Sequence, residues 1–252
     1  NYLSITGRNK NYWQPYRLKN LILLFNGEIY NFKKLNKKIK KINKNFQSDS
    51  DTKTLIHYFF YFGVDRTLKD IRGMWSISLF DTEKKILYFS RDRLGIKPLF
   101  YFKNKNKFIF SSSIKSINFL LQKKDMNKTY LKKYLVKGKL DDGEQTPFKN
   151  IFNFPSASLL KINLTNIKKT NFKFTKFWKL NKSETYSVDK VKDLKKLINK
   201  NLSLHSDIQK RVKAVIPLSS GLDSTYIQRK NISENYISIS LAGIFFNEEV
   251  SL

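Results

Sequence analysis

Phe25-Asn-Gly-Glu-Ile-Tyr-Asn31 follows directly on Leu21-Ile-Leu-Leu-Phe25, a compact apolar run of the kind that forms a buried strand. Asn26-Gly27 is a turn dipeptide, so a hairpin turn there is one reading of the local pattern. Outward from this point the first half of the chain alternates short strands, turns and one clear helix. Asp51 to Val64 places Leu55, Tyr58, Phe59 and Phe62 near helical spacing, with Asp51 as the N-cap or a first-turn residue. Trp75-Ser-Ile-Ser-Leu-Phe80 alternates large and small side chains as a half-buried strand does. Asp81 to Lys85 is a polar turn, and Ile86-Leu-Tyr-Phe89 returns from it as the second arm of a hairpin. Lys107-Phe-Ile-Phe110 is a further strand. Antiparallel pairs with interspersed helices predict a layered α+β architecture.

Residues 120–180 read as irregular and lysine-rich, and a domain boundary is expected between 165 and 187. The expected domains are therefore 1–170 and 187–252. Ser187 is placed to N-cap a helix over Val188 to Leu204, with Val188, Val191, Leu194, Ile198 and Leu202 on one stripe. Val212 to Leu218 is then a strand entering a loop and a helix from Ser219 to about Arg229, and Tyr236 to Leu241 is a second strand. Strand, loop, helix and strand in that order open a parallel α/β domain.

Composition narrows the function classes. In 252 residues, 40% hydrophobic and 15% aromatic content is too high for a disordered chain. There is no run of eighteen apolar residues and no signal-peptide pattern, which predicts a soluble, cytoplasmic protein without a membrane partner. Cysteine is absent, so these residues hold no disulfide, thiolate metal site or cysteine nucleophile. The two histidines, His57 and His205, are too few for a histidine-rich metal site, and His57 is expected in an ordinary packed or surface role. The net charge of +29 would suit a nucleic-acid partner. Against that, the lysines are spread along the chain, arginine is scarce, and Lys, Asn, Ile, Phe and Tyr are abundant together, as A- and T-rich codons produce. No specific nucleic-acid partner is expected, only weak attraction to polyanions.

Several short motifs occur in order: Leu3-Ser-Ile5, Gln14-Pro15, Phe25 to Asn31, Ser50-Asp51, Arg72 to Asp81, Arg91-Asp-Arg-Leu-Gly-Ile-Lys-Pro-Leu99 with Tyr101, and Phe110-Ser-Ser-Ser-Ile-Lys115. Far downstream comes Ser219-Ser-Gly-Leu-Asp-Ser224. Taken together the chain resembles the glutamine-hydrolysing asparagine synthase family. In that family a class II glutamine amidotransferase domain precedes an ATP pyrophosphatase domain. The resemblance implies an α+β N-terminal nucleophile hydrolase sandwich, αββα, followed by the start of a PP-loop α/β Rossmann-like domain.

What the resemblance implies for the site has a chemical rationale. Amide hydrolysis passes through an oxyanion, which the Asn26 side chain and the Gly27 backbone N–H would stabilise. Glycine also lets the backbone approach the substrate closely. Glu28 and Asp51 match the acidic residues that bind glutamine's α-amino group. The ATP site would comprise Leu218, Ser219, Ser220, Gly221, Leu222, Asp223 and Ser224, small residues whose N–H groups cradle phosphates at a helix N-terminus. Asp223 would act through Mg²⁺. Asn247-Glu248-Glu249 reads as solvated surface.

The implied activity is ATP-dependent amidation of aspartate to asparagine through β-aspartyl-AMP, with ammonia from glutamine. The small-molecule partners would be glutamine, aspartate and ATP, the cofactors ATP and Mg²⁺, and a homodimer stays open. Four departures weigh on this. The family's N-terminal cysteine nucleophile is not among these residues, Tyr2 falls where the family has a carboxylate-binding arginine, Ser113 replaces a glutamate, and Ser220 replaces a glycine. These 252 residues are therefore expected to release no glutamate by themselves. Alternatives are a relative with another carboxylate acceptor, as in polysaccharide clusters or β-lactam synthetases, towards which Val215-Ile-Pro-Leu218 leans, and a degenerate non-catalytic remnant.

Overall fold

The structure, a computed structural model, describes residues 13–104, 107–122, 125–138, 143–165, 172–180, 188–209, 214–219, 221–230 and 236–240. The chain divides into two compact units, 1–181 and 182–252. In the first unit the strands are β1 (Tyr16–Leu18), β2 (Leu21–Ile29), β3 (Gly73–Asp81), β4 (Ile86–Arg91), β5 (Phe100–Lys103), β6 (Phe108–Ser111), β7 (Ile151–Asn153), β8 (Ser158–Asn163) and β9 (Phe174–Lys176). Its helices are α1 (Phe32–Lys40), α2 (Asp51–Asp70), α3 (Ile114–Leu121) and α4 (Lys128–Lys137).

Two antiparallel sheets form, a larger one in the order β1-β2-β3-β4-β8-β9 and a smaller one in the order β6-β5-β7. The period-2 rule explains how the large sheet serves two cores. Leu23, Phe25 and Ile29 of β2 share a face with Trp75, Ile77 and Leu79 of β3, because Leu23 pairs with Leu79, Phe25 with Ile77 and Gly27 with Trp75. That face packs on Phe32, Leu35 and Ile39 of α1 and on Leu55, Ile56, Tyr58 and Phe59 of α2. The opposite face contributes Phe89, Leu160 and Ile162 to a second core with Leu99, Tyr101 and Phe154. The far side of the small sheet, through Phe102 and Ile151, packs on Ile117 of α3. Helix, sheet, sheet and helix thus stack in layers, and the expected αββα sandwich is present.

Local sequence explains the elements that matter to the site. Ser50 N-caps α2, accepting a hydrogen bond from the Lys53 N–H. Asp51 is therefore the first helical residue. The helix runs past Val64 to Asp70 across a kink at Gly63, whose φ of 73° favours glycine. At its end Asp70 gathers Lys38 at 2.8 Å, the Tyr58 hydroxyl at 2.6 Å and Arg66 at 3.1 Å, tying α1 to α2. These cationic and hydroxyl donors hold the Asp70 carboxyl below its usual range despite partial burial.

Two expectations need correction. Asn26-Gly27 is not a turn: β2 continues through it to Ile29, and Gly27 pairs with Trp75 in mid-ladder. Residues 120–180 are not generally irregular either. They supply α4, β7 and two strands of the large sheet, β8 beside β4 and β9 beside β8. β8 pairs with a strand some seventy residues earlier, at Ile86↔Asn163. Its lone period of alternation is too short to announce that partner.

The second unit has α5 (Val188–Gln209), β10 (Ala214–Leu218), α6 (Leu222–Lys230) and β11 (Tyr236–Ser240). β10 and β11 pair in parallel from Ala214↔Tyr236 to Leu218↔Ser240, with α6 in the connection. The Tyr226 hydroxyl of α6 donates to Asn199 of α5 at 3.0 Å. Tyr2, Ser187, Ser220, Leu241 and residues 247–249 lie outside the described residues.

Candidate active site

Close approach of two strands builds this site. A Cβ on Gly27 would stand 2.1 Å from the Met74 carbonyl oxygen and 2.7 Å from the Trp75 Cα. A Cβ on Gly73 would stand 2.0 Å from the Glu28 carbonyl oxygen. Each strand thus spends a glycine where the other's backbone passes. Only residues without a Cβ permit this ladder.

The cross-strand partners of Leu24 and Asn26 are Ser78 and Ser76. These four side chains share the face turned to the small sheet. They line a cavity of about 290 Å³ together with Gln14, Leu99, Phe110 and Ser111. Asn26 is exposed there, and its side-chain amide makes no hydrogen bond among the described residues. Gln14 secures the neighbouring backbone: its Nε2 donates to the Phe25 carbonyl at 2.7 Å and its Oε1 accepts from the Phe25 N–H.

Glu28 and Asp51 are not among the residues lining that cavity and are buried, each 5% exposed. Asp51 Oδ2 accepts from the Ile29 N–H at 3.1 Å and Oδ1 accepts from the Thr52 N–H at 2.7 Å, so α2 docks its first residue against the end of β2. Glu28 Oε1 is buried and has no hydrogen-bond partner. Burial, with the Asp51 charge adding to it and Lys97 opposing, pushes the Glu28 carboxyl up to about 7. Tyr30 is raised by burial and by the charges of Glu28 and Asp92.

A clamp holds the loop after β4. Asp92, 1% exposed, accepts backbone N–H bonds from Trp75 (3.2 Å), Leu94 (3.1 Å), Ile96 (2.9 Å) and Lys97 (2.9 Å). Arg91 donates to the carbonyls of Lys97 (2.7 Å), Phe154 (2.8 Å) and Gly95 (2.7 Å). Lys97 thus has both backbone groups pinned by charged side chains. Its ammonium makes no hydrogen bond or ion pair among the described residues, while its charge reaches Glu28. Nothing in the spacing of residues 91–99 assigns a role to Asp92 or Lys97. The signal that could find Asp92 is an aspartate followed within three residues by glycine, a pattern in which the side chain accepts nearby N–H groups.

The structure therefore brings Asn26, Gly27, Glu28 and Asp51 to one end of β2. The stretch from Leu218, the last residue of β10, to Ser224, in the first turn of α6, belongs to the other unit. There Ser224 Oγ accepts from the Ser219 N–H at 3.1 Å and lies 3.0 Å from Ser219 Oγ, while Gly221 N–H donates to Ser219 Oγ at 3.3 Å. Asp223 stands in the first turn of α6. His57 has the packed role expected of it, 4.7 Å from the Phe46 ring, and burial lowers its pKa to about 4. Among the described residues no group of three or more His, Cys, Asp or Glu could hold a metal, and no helix is long and apolar enough to cross a membrane.

The family described as "Glutamine amidotransferase domain" matches residues 1–178. Asparagine synthetase (glutamine-hydrolyzing) 2 of Bacillus subtilis is 31% identical over 221 residues, covering 82% of this chain and 28% of that protein. A Methanocaldococcus jannaschii protein provisionally given the same name is also 31% identical, over 215 residues, covering 82% of this chain and 39% of that one. The chain thus spans well under half the length of these relatives. Among solved structures, one described as the allosteric regulatory enzyme of purine biosynthesis overlaps 68% of this chain and 32% of its own at a TM-score of 0.46 and 18% identity.

Proposed function

Because the chain belongs to the family of glutamine amidotransferase domains, we propose that it is the glutamine-handling part of an asparagine synthase together with the opening of its ATP-dependent domain. The placement of Asn26, Gly27, Glu28 and Asp51 at one end of β2 carries this reading. Two buried carboxylates suit the ammonium of an amino acid. The free Asn26 amide and the Gly27 backbone suit the oxygen of a side-chain amide under attack. Gly73 and Asp92 keep β3 in register beside them, so the donors are positioned before substrate arrives.

The 252 residues contain no cysteine, so they do not themselves supply the cysteine nucleophile that the resemblance implies. Ammonia released in the first unit would serve an acceptor carboxylate activated in the second. The second unit would take a nucleotide's phosphates: Ser219 and Gly221 are small, exposed and precede α6, whose first turn carries the half-buried Ser224 and also Asp223, which would hold Mg²⁺. When bound, Mg·ATP would supply adenylation of the acceptor, for which the resemblance favours aspartate.

Glutamine titrated calorimetrically into this chain tests the site. Glutamine is expected to bind and N-acetylglutamine to fail, because acylation removes the ammonium. Equal binding of both, or of neither, refutes the assignment of Glu28 and Asp51. No glutamate release is expected from these residues alone. A second reading, a relative that no longer hydrolyses glutamine, is favoured by Tyr2 and by Ser113, which N-caps α3 without a side-chain cap bond.

A further inference from the structure

Glu28 and Asp51 are two carboxylates in one water-poor corner, and their support is unequal. Asp51 opens the twenty-residue helix α2 and accepts N–H bonds on both oxygens, from Ile29 and Thr52. The positive end of the helix dipole favours its charge further. Glu28 stands on β2 with Oε1 buried and unpartnered. Two neighbouring buried carboxylates resist ionising together. The carboxylate with fewer donors takes the proton.

The groups facing Glu28 agree. Asp51, from α2, disfavours a second charge, and Lys97, from the clamped loop, favours one. Tyr30 follows β2 and is itself raised, so it stays a neutral phenol. Met74, opposite Glu28 on β3, carries no charge. Asp92 is engaged by four backbone N–H groups.

We infer that Glu28 is a proton-exchange residue: an ammonium-bearing ligand enters the acid pair by displacing the proton that Glu28 holds when the site is empty. The balance is one carboxylic acid and one ammonium in, one carboxylate–ammonium pair formed, and one proton released to solvent. The inference rests on the glutamine reading above and adds the ionic state in which that site waits. It makes ligand affinity a function of pH in the physiological range. With the Glu28 midpoint near 7, affinity should be flat above it and fall about tenfold per pH unit below it.

Calorimetric titration of this chain with glutamine, repeated in buffers of different ionisation enthalpy, counts the released protons directly. Close to one proton per glutamine is expected at about pH 6 and few at about pH 8. Lys97→Met removes the cation that favours ionised Glu28, so the transition should move to higher pH. Glu28→Gln should weaken binding and remove the pH dependence between about pH 5.5 and 8. Binding with the same affinity and proton count at both pH values overturns the inference while leaving the glutamine site intact. Failure of glutamine to bind at any pH overturns both.

Discussion

Asp92→Ala removes an acceptor on which four backbone N–H groups converge, and the structure says which losses matter. Leu94 and Ile96 are 72% and 56% exposed, so water can reach their amides, at about 0.5 kcal/mol each. The Trp75 N–H belongs to a residue that is 0% exposed and stays dry. Stranding it costs about 1–3 kcal/mol, and the half-buried Lys97 amide adds about 1 kcal/mol. The sum is about 3–5 kcal/mol, a large part of the roughly 5–15 kcal/mol that holds a domain together. Asp92→Asn should not rescue it. One of its two oxygens becomes an NH₂ facing N–H donors, and the charge that strengthens all four bonds is gone. The assay is urea unfolding followed by tryptophan fluorescence, with hydrogen exchange at the Trp75 amide as a local readout. Both variants should unfold at lower urea and lose protection at Trp75. A loss below about 1 kcal/mol with normal protection would refute the clamp.

Other substitutions separate the site's parts. Gly27→Ala should force β2 and β3 apart, because its Cβ would stand 2.1 Å from the Met74 carbonyl oxygen. A loss of about 1–3 kcal/mol and of glutamine binding is expected, and unaltered calorimetric binding would contradict the close-approach argument. Glu28→Gln should change stability with pH in a defined sense. The folded state holds the Glu28 proton up to about 7, so the wild type loses stability as pH rises from the ordinary carboxylate range through that value. The variant should escape this loss and gain up to about 2–3 kcal/mol above pH 7, read as a pH series of unfolding curves. If the proposed reading holds, Asp223→Ala in a protein carrying both complete domains should abolish aspartate-dependent ATP–pyrophosphate exchange. Retained exchange would place the nucleotide elsewhere.

Part of the site could be read along the chain because its signals are local. Asn26, Gly27 and Glu28 are consecutive, and Ser50-Asp51 announces the start of a helix by its capping chemistry. The strands β3 and β4 show their alternation and the polar turn between them. β8 and β9 escaped because their partners are distant and their alternation spans few residues. The same dipeptide that turns a hairpin elsewhere lies mid-strand here, because Met74 and Trp75 cross where Gly27 has no side chain. That crossing is a property of two strands and cannot be seen in either.

By itself the sequence determined the periodicities, hence the layered α+β class, the helix that begins at Ser50-Asp51, and the absence of a cysteine nucleophile within these residues. Its resemblance to a known family also offered candidates to serve an oxyanion and an amine. Only the tertiary structure decided that Asp51 reaches Ile29, that Glu28 Oε1 is left buried with no donor, and that the charge of Lys97, its backbone pinned, reaches Glu28. The physical reason is range. Propensity, capping and alternation act over a few residues, whereas desolvation and charge coupling depend on which distant segments exclude water from the same point.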